Sequence, residues 1–139
     1  MAHPLSVPDP TSFRVRHSPD GSPLPDCERL DVYRVAVAFQ LIAASIRSPR
    51  LGALRGQLDR ASVSIVLNIA EGSGRFSAAE KAHFYLIARG SAMECVAALT
   101  LMRARSLVAP DVYGRSRALL TRIVAMLTRL ATAMQRRAA

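Results

Sequence analysis

The sequence predicts an all-α protein: an antiparallel up-down-up-down four-helix bundle behind a Pro-rich flexible N-terminal arm. Three observations predict it. Half of the 139 residues are apolar, only 5% are aromatic and there is no Trp; Ala, Leu, Val, Ile and Arg dominate, a helix-favouring mixture. Four segments repeat their apolar residues with a helical period, and none alternates with the period of a strand. Six of the eight prolines fall within residues 1–26, and Pro49 and Pro110 punctuate the remainder. The length suits one domain with enough core to fold unaided. Residues 1–26 form the arm, because proline denies both helix and ladder hydrogen bonds, and residues 27–139 form the bundle.

The first helix is expected over about residues 28–47, with Leu30, Tyr33, Val37, Leu41 and Ile46 as its stripe. The stretch RSPRLG, Arg47 to Gly52, ends it. The second is expected over about 51–71, with Leu54, Leu58, Ala61, Ile65 and Ile69 on one face. The third is expected over about 77–106. Its apolar residues, among them Phe84, Tyr85, Leu86, Ile87, Val96, Leu99, Leu101 and Met102, nearly encircle the axis. A helix apolar on most sides is buried on most sides, so a second packing surface, and hence self-association, is expected. The fourth is expected over about 111–136, starting at Asp111 behind Pro110, with Leu119, Ile123, Met126, Leu130 and Met134 as its stripe. Helices of this size are about 30 to 45 Å long, and short connections make neighbours antiparallel.

No uninterrupted apolar run approaches the roughly 20 residues of a membrane span, and the N-terminus lacks a signal-peptide layout. A cytoplasmic protein without membrane contact is expected. Cys27 and Cys95 then read as free thiols rather than a disulfide.

The net charge is +9, and its placement is uneven. Residues 1–102 carry 11 basic and 9 acidic groups; residues 103–139 carry 8 basic groups and only Asp111. Within the fourth helix Arg115, Arg122, Arg129 and Arg136 recur every seven residues. At about 100° per residue they drift slowly around the axis and form one stripe, successive members about 10 Å apart. Like charges on one face repel, so the stripe is no stability device. It suits a phosphate backbone, which guanidinium groups contact with charge-assisted, bidentate bonds. The competing readings are a solvated face and pairing with a neighbouring subunit's acids. Aromatic interleaving is lacking, which argues against stacking on single-stranded bases.

Other candidate chemistry is weaker. NIAEGSGRFS, Asn68 to Ser77, holds a close glycine pair. A phosphate loop of the Walker type needs Lys and Ser or Thr behind its last glycine, and a dinucleotide loop needs a strand before it; Arg75 and Phe76 follow here, and a helix precedes. The stretch reads instead as a helix–helix turn. Gly72 or Gly74 takes the left-handed conformation that ends a helix, and Ser77 with Glu80 forms a capping box that starts the next. Glu80-x-x-His83 has di-iron spacing, but no second such pair exists, and His3 and His17 lie on the arm. No metal or other cofactor is expected. Ser62, Ser64 and Ser91 have no evident base, and Gly90 in mid-helix calls for a packing reason. Asn68 and Glu71 are expected to cap backbone or to pair with Arg60 or Arg75.

The stretch Gln57 to Cys95, QLDRASVSIVLNIAEGSGRFSAAEKAHFYLIARGSAMEC, resembles the 23S rRNA intervening-sequence proteins of bacteria. The matching positions are Gln57, Arg60, Ala61, Ser64, Ile65, Asn68, Ile69, Ala70, Glu71 and Gly72, then Arg75, Ser77, Glu80, Phe84, Ile87, Ala88, Gly90, Ser91 and Glu94. The resemblance implies a four-helix bundle assembled into a homo-oligomer, with pentamers as the family's form. It also implies kinship with the basic accessory proteins (Avd) of diversity-generating retroelements, which are thought to bind nucleic acid and a reverse transcriptase. It implies no catalytic residues. The expected function is therefore non-enzymatic: an oligomeric accessory protein that binds RNA or DNA through its arginines. The alternative is a protein-interaction scaffold of the same architecture.

Overall fold

The computed structural model describes residues 18–139. The first seventeen residues of the predicted arm, with His3 and His17, lie outside the described residues. Four helices follow a short 3-10 turn, Asp26–Arg29: α1 Asp31–Ser45, α2 Ala53–Ser73, α3 Ala78–Ala104 and α4 Pro110–Ala138. There is no strand among the described residues. Each helix packs on its neighbours in the chain, and α4 closes back on α1; the diagonal pairs do not meet. The result is a four-helix bundle. Gln57 at the start of α2 bonds Glu94 near the end of α3, Ser64 meets Ser91, and Gly72 lies against Phe84 and Tyr85. These two helices therefore run in opposite directions.

Local chemistry sets the helix ends. Leu30 is extended (φ −89°, ψ 126°), so α1 begins at Asp31 and not at residue 28. It stops at Ser45 because Ile46 is extended (φ −75°, ψ 107°) ahead of Ser48-Pro49, where proline disfavours helix in the residue before it. Gly52 starts α2 with φ 55° and ψ −132°, a conformation that side chains other than glycine rarely adopt. At the start of α3 the Ser77 hydroxyl oxygen accepts from the Glu80 amide at 3.1 Å. The Glu80 carboxylate accepts from that hydroxyl, also at 3.1 Å, rather than from the Ser77 amide as in a full capping box. The fourth helix begins one residue early, with Pro110 in its first turn and Ala109 as the cap. Proline suits that place because its missing N–H would be unpaired anyway. Asp111 lies inside the first turn and pairs with Arg115 at 3.3 Å.

The core is mainly aliphatic, with Leu58, Ile65, Ile69, Leu99, Met102, Leu120, Ile123 and Leu127 packed around Phe39 and Tyr85. Two predicted stripes need correction. On α1 the buried face is Val32, Val35, Ala36, Phe39, Ile42 and Ala43, whereas Leu41 is 43% exposed. The periodicity fits either phase, and packing against α2 and α4 selects the Phe39 face; Ile46 of the predicted stripe is buried just beyond the helix. On α4 Leu119 and Ile123 are buried as expected, but Leu120, Leu127 and Ala131 complete the face, leaving Met126, Leu130 and Met134 partly buried at its rim. The α2 residues Leu58, Ala61, Ile65 and Ile69 are buried, with Leu54 partly so.

By length and composition α3 is the one described helix apolar enough to cross a membrane. Its Ala82, Tyr85, Ala88, Ala92, Cys95 and Leu99 face the bundle. Its outer face keeps Leu86, Ile87, Met93 and Leu101 between 39% and 52% exposed.

Candidate nucleic-acid interface

All four arginines of the seven-residue repeat, Arg115, Arg122, Arg129 and Arg136, are exposed on α4. The α4 core face is Ser116, Leu119, Leu120, Ile123, Leu127 and Ala131. At 100° per residue, the stripe lies well away from that face and on the α1 side. Arg129 borders the groove between α4 and the start of α1, beside Leu30, Asp31 and Val32. Arg115 is partly neutralised by Asp111. Among the described residues, Arg122, Arg129 and Arg136 have no carboxylate within 4.0 Å. Their guanidinium groups stand in water, free to meet an anion.

A second basic group lies on the α3 side of the helix. Arg117 donates to the Tyr113 hydroxyl at 3.1 Å, with its guanidinium 5.9 Å from the ring centre. The Arg117 bond leads in holding the Tyr113 phenol below its usual pKa, helped by Thr100 and by the Arg103 charge and opposed by slight desolvation. Arg89 of α3 donates to Thr128 at 2.9 Å.

The turn between α2 and α3 is no phosphate cradle. Arg75 pairs with Glu71 and lies 3.8 Å from the Glu80 carboxylate. Its guanidinium also sits 4.8 Å from the centre of the Phe84 ring. Lys81 reaches back to the carbonyls that end α2, at 2.7 Å to Ser73 and 3.5 Å to Gly72, satisfying acceptors that a helix end leaves open. The loop's cations are thus committed within the chain. The left-handed helix end expected at Gly72 or Gly74 is absent: neither has a positive φ. Gly72 is glycine for space. A Cβ there would lie 3.0 Å from Phe84 Cβ and 3.0 Å from Tyr85 Cε1. The left-handed end occurs instead at Ser106, φ 57°, closing α3.

Metal and nucleophile chemistry finds no support. Among the described residues no three His, Cys, Asp or Glu side chains are placed to hold a metal ion. Glu80 serves the α3 cap, and His83 meets Phe84 edge-on at 5.4 Å. Cys27 and Cys95 are unbonded to each other. Burial, with the Glu94 charge adding, pushes the Cys95 thiol up to about 12, so it is inert.

The polar residues shared between α2 and α3 line one seam. Arg60 donates to Gln57 at 3.2 Å, and Gln57 donates to Glu94 at 2.9 Å. Farther along, Ser64 and Ser91 bond at 2.8 Å. Asn68 donates to the Ser64 carbonyl at 2.9 Å and to its hydroxyl at 3.0 Å. Asn68 does not reach Arg60; Glu71 does pair with Arg75. A protein-family model described as 23S rRNA-intervening sequence protein matches residues 28–129. The chain belongs to that family. The match spans all of α1, α2 and α3 and takes in α4 as far as Arg129. A search of curated proteins gave no match. In this member of the 23S rRNA-intervening sequence protein family, Gln57, Ser64, Ser91 and Glu94 join α2 to α3 across the seam. Arg115, Arg122 and Arg129 fall inside the matched span, and Arg136 beyond it.

Sequence reasoning missed the Lys81 cap and the Gly72 contact. Neither has a local signal, because both join residues of different helices. It also missed the open surface at Gly90, where an added Cβ would meet nothing within 4 Å. The packing reason expected for that glycine is not found among the described residues.

Proposed function

We propose that the protein is a non-enzymatic, cytoplasmic, homo-oligomeric bundle with up-down-up-down order that binds RNA or DNA through the arginines of α4. It needs no cofactor. The observation that carries the reading is the line of exposed guanidinium groups on Arg122, Arg129 and Arg136, which have no carboxylate within 4.0 Å among the described residues. Binding of this kind is electrostatic, weakly sequence-specific and steeply weakened by salt. The double substitution Arg122→Glu and Arg129→Glu abolishes binding to a labelled duplex while the native mass stays that of the wild type. Survival of binding in that variant would sink the stripe as the contact surface.

Self-association is the second half of the proposal, with a pentamer as the form that the family resemblance suggests. Its support is the outer face of α2 and α3, where Val63, Leu67, Ile87 and Leu101 are 39% to 61% exposed. The open Gly90 lies among them, next to Ser91 of the seam. Large apolar side chains left open on one side of a bundle suit an interaction site. Light scattering on Leu67→Glu with Ile87→Glu tests it: the expected result is a monomer that keeps its helix content. The same face also favours a protein-interaction scaffold as the alternative. That reading predicts co-purification with one protein and no salt-sensitive retention on nucleic acid.

A further inference from the structure

The end of the bundle that carries the α1–α2 and α3–α4 connections holds a second group of arginines. Arg47 and Arg50 lie in the first connection, with no acid between residues 46 and 55. Arg103 and Arg105 close α3, and Arg117 opens α4 across from them. Three contacts bring the two connections to the same end. Gln57 at the start of α2 bonds Glu94 toward the end of α3. The Tyr113 hydroxyl at the start of α4 lies beside Thr100 and Arg103. The start of α1 lies against residues 126–133 of α4, so its 15 residues, about 22 Å of helix, bring Ser45 back toward the start of α4. Leu51 and Val108, one from each connection, are both buried in the common core.

Neutralisation at this end is incomplete. Asp59 lies 3.6 Å from Arg55, and Asp111 lies 3.3 Å from Arg115. Arg47, Arg50, Arg103, Arg105 and Arg117 have no acidic partner among the described residues. Arg47, Arg50, Arg105 and Arg117 are exposed, and Arg103 is half-buried. The opposite end differs: Arg75 there is held by Glu71 and Glu80, and Arg34 by Asp31. Arg136 and Arg137, in the last turn of α4, also lie toward that end without an acidic partner, but Glu71, Glu80 and Asp31 offset charge there, so the larger cationic excess is at the loop end. The cations at the loop end are all guanidinium groups, whose planar fork matches phosphate oxygens in a way that an ammonium does not.

We infer that the loop end, through Arg47, Arg50, Arg103, Arg105 and Arg117, is a second binding surface for the phosphodiester backbone of a nucleic-acid duplex. It adjoins the α4 stripe at Arg115 and Arg117. The inference rests on the nucleic-acid reading above and adds to it where the duplex sits: over the bundle end as well as along its side. Contacts made by phosphates alone carry no sequence preference. Each lost phosphate contact lowers the slope of log affinity against log salt by about 0.9.

The full chain tests this with fluorescently labelled RNA and DNA duplexes of one sequence, titrated from about 50 to 200 mM salt, a range over which such contacts weaken steeply. The loop-end variant is Arg47→Gln, Arg50→Gln and Arg105→Gln. None of these side chains makes a hydrogen bond among the described residues, so folding is unaffected, which circular dichroism checks. The expected result is a salt slope smaller by about 2 to 3 and at least tenfold weaker binding at the higher salt. The stripe variant Arg122→Gln with Arg129→Gln is run beside it. A loop-end variant that matches the wild type while the stripe variant is impaired overturns the inference and leaves the nucleic-acid reading standing. A wild type that binds neither duplex overturns both. Equal retention of the wild type on a polyglutamate chain at matched charge also overturns the inference, in favour of an acidic protein partner. Comparison of the RNA and DNA arms shows which backbone geometry the surface prefers.

Discussion

Two glycines of the α2–α3 pair should respond to the same substitution with opposite sign. At Gly72 an added Cβ meets Phe84 Cβ at 3.0 Å, Tyr85 Cε1 at 3.0 Å and Tyr85 Cδ1 at 3.1 Å. Phe84 Cβ is fixed to the α3 backbone, and the Tyr85 residue is only 3% exposed, so neither neighbour has room to yield. The two helices must separate by a few tenths of an ångström. Overpacking of this kind costs about 1 to 3 kcal/mol, and the better helix propensity of alanine returns up to about 1 kcal/mol. Gly72→Ala is therefore expected to destabilise by about 1 to 2 kcal/mol. Gly90→Ala meets nothing within 4 Å and lies in a helix interior, so only propensity acts and the isolated bundle gains about 0.5 to 1 kcal/mol. Urea denaturation at low protein concentration, followed by circular dichroism, measures both, with the slope required to stay constant so that the shift in midpoint reports stability. A Gly72→Ala protein as stable as the wild type would refute the close-approach reading and return that glycine to a role in the turn.

Four further outcomes follow from the same reasoning. Ser116 is fully buried on α4 and its hydroxyl has no hydrogen-bond partner, so Ser116→Ala should stabilise by about 1 kcal/mol in thermal or urea melts. Ser106→Gly should stabilise by up to about 1 kcal/mol, because Ser106 holds φ 57° while Leu107 donates to the Met102 carbonyl at 2.8 Å in the closing turn. With its thiol pushed up from 9.0 to about 12, Cys95 should resist thiol reagents at pH 8 until the chain unfolds. A raised folded pKa contributes fully below the unfolded value, so stability falls as pH rises from about 9 towards 12, which melts across that range would show. The monomeric Leu67→Glu, Ile87→Glu variant should bind a duplex at least a hundredfold more weakly than the oligomer in anisotropy titrations, despite intact arginines, through lost multivalency; equal affinity would mean that each copy binds alone.

The four helices were legible because each long segment kept a helical period and each break carried proline or glycine. The line of exposed arginines was legible too, since a seven-residue spacing survives any choice of packing partner. The phase of α1 was not. Its run of Val, Ala, Phe and Ile residues allows two stripes, and only the position of α2 and α4 selects Val35, Phe39 and Ile42 over Val37 and Leu41. Gly72 was read as a turn residue from its place near the helix end, whereas its role comes from Phe84 and Tyr85, twelve and thirteen residues away. The stretch RSPRLG was read only as a break, and the union of its Arg47 and Arg50 with Arg103, Arg105 and Arg117 was not legible, because it depends on how the connections fold against one core.

The placement of the two kinds of surface bears on how they work together. The chain order α1–α2–α3–α4 closes on itself, so the α2–α3 outer face and the α1 side of α4 lie on opposite sides of the bundle. A copy seated on Leu67 and Ile87 does not itself reach Arg122 and Arg129; in a ring each copy also presents a second, different face to its other neighbour. If copies stand side by side with parallel axes, their loop ends all face one way, and the cations of each end gather in one plane. Such gathering raises the electrostatic cost of assembly, since net charge far from zero opposes compaction and association. A polyanion laid across that plane removes the cost. Nucleic acid and oligomer then stabilise each other by equal free energies, as linkage requires. On this account the weak acidity of the loop end is what couples assembly to ligand: with Arg47 and Arg50 paired to acids, the bundles would assemble as readily without a duplex as with one.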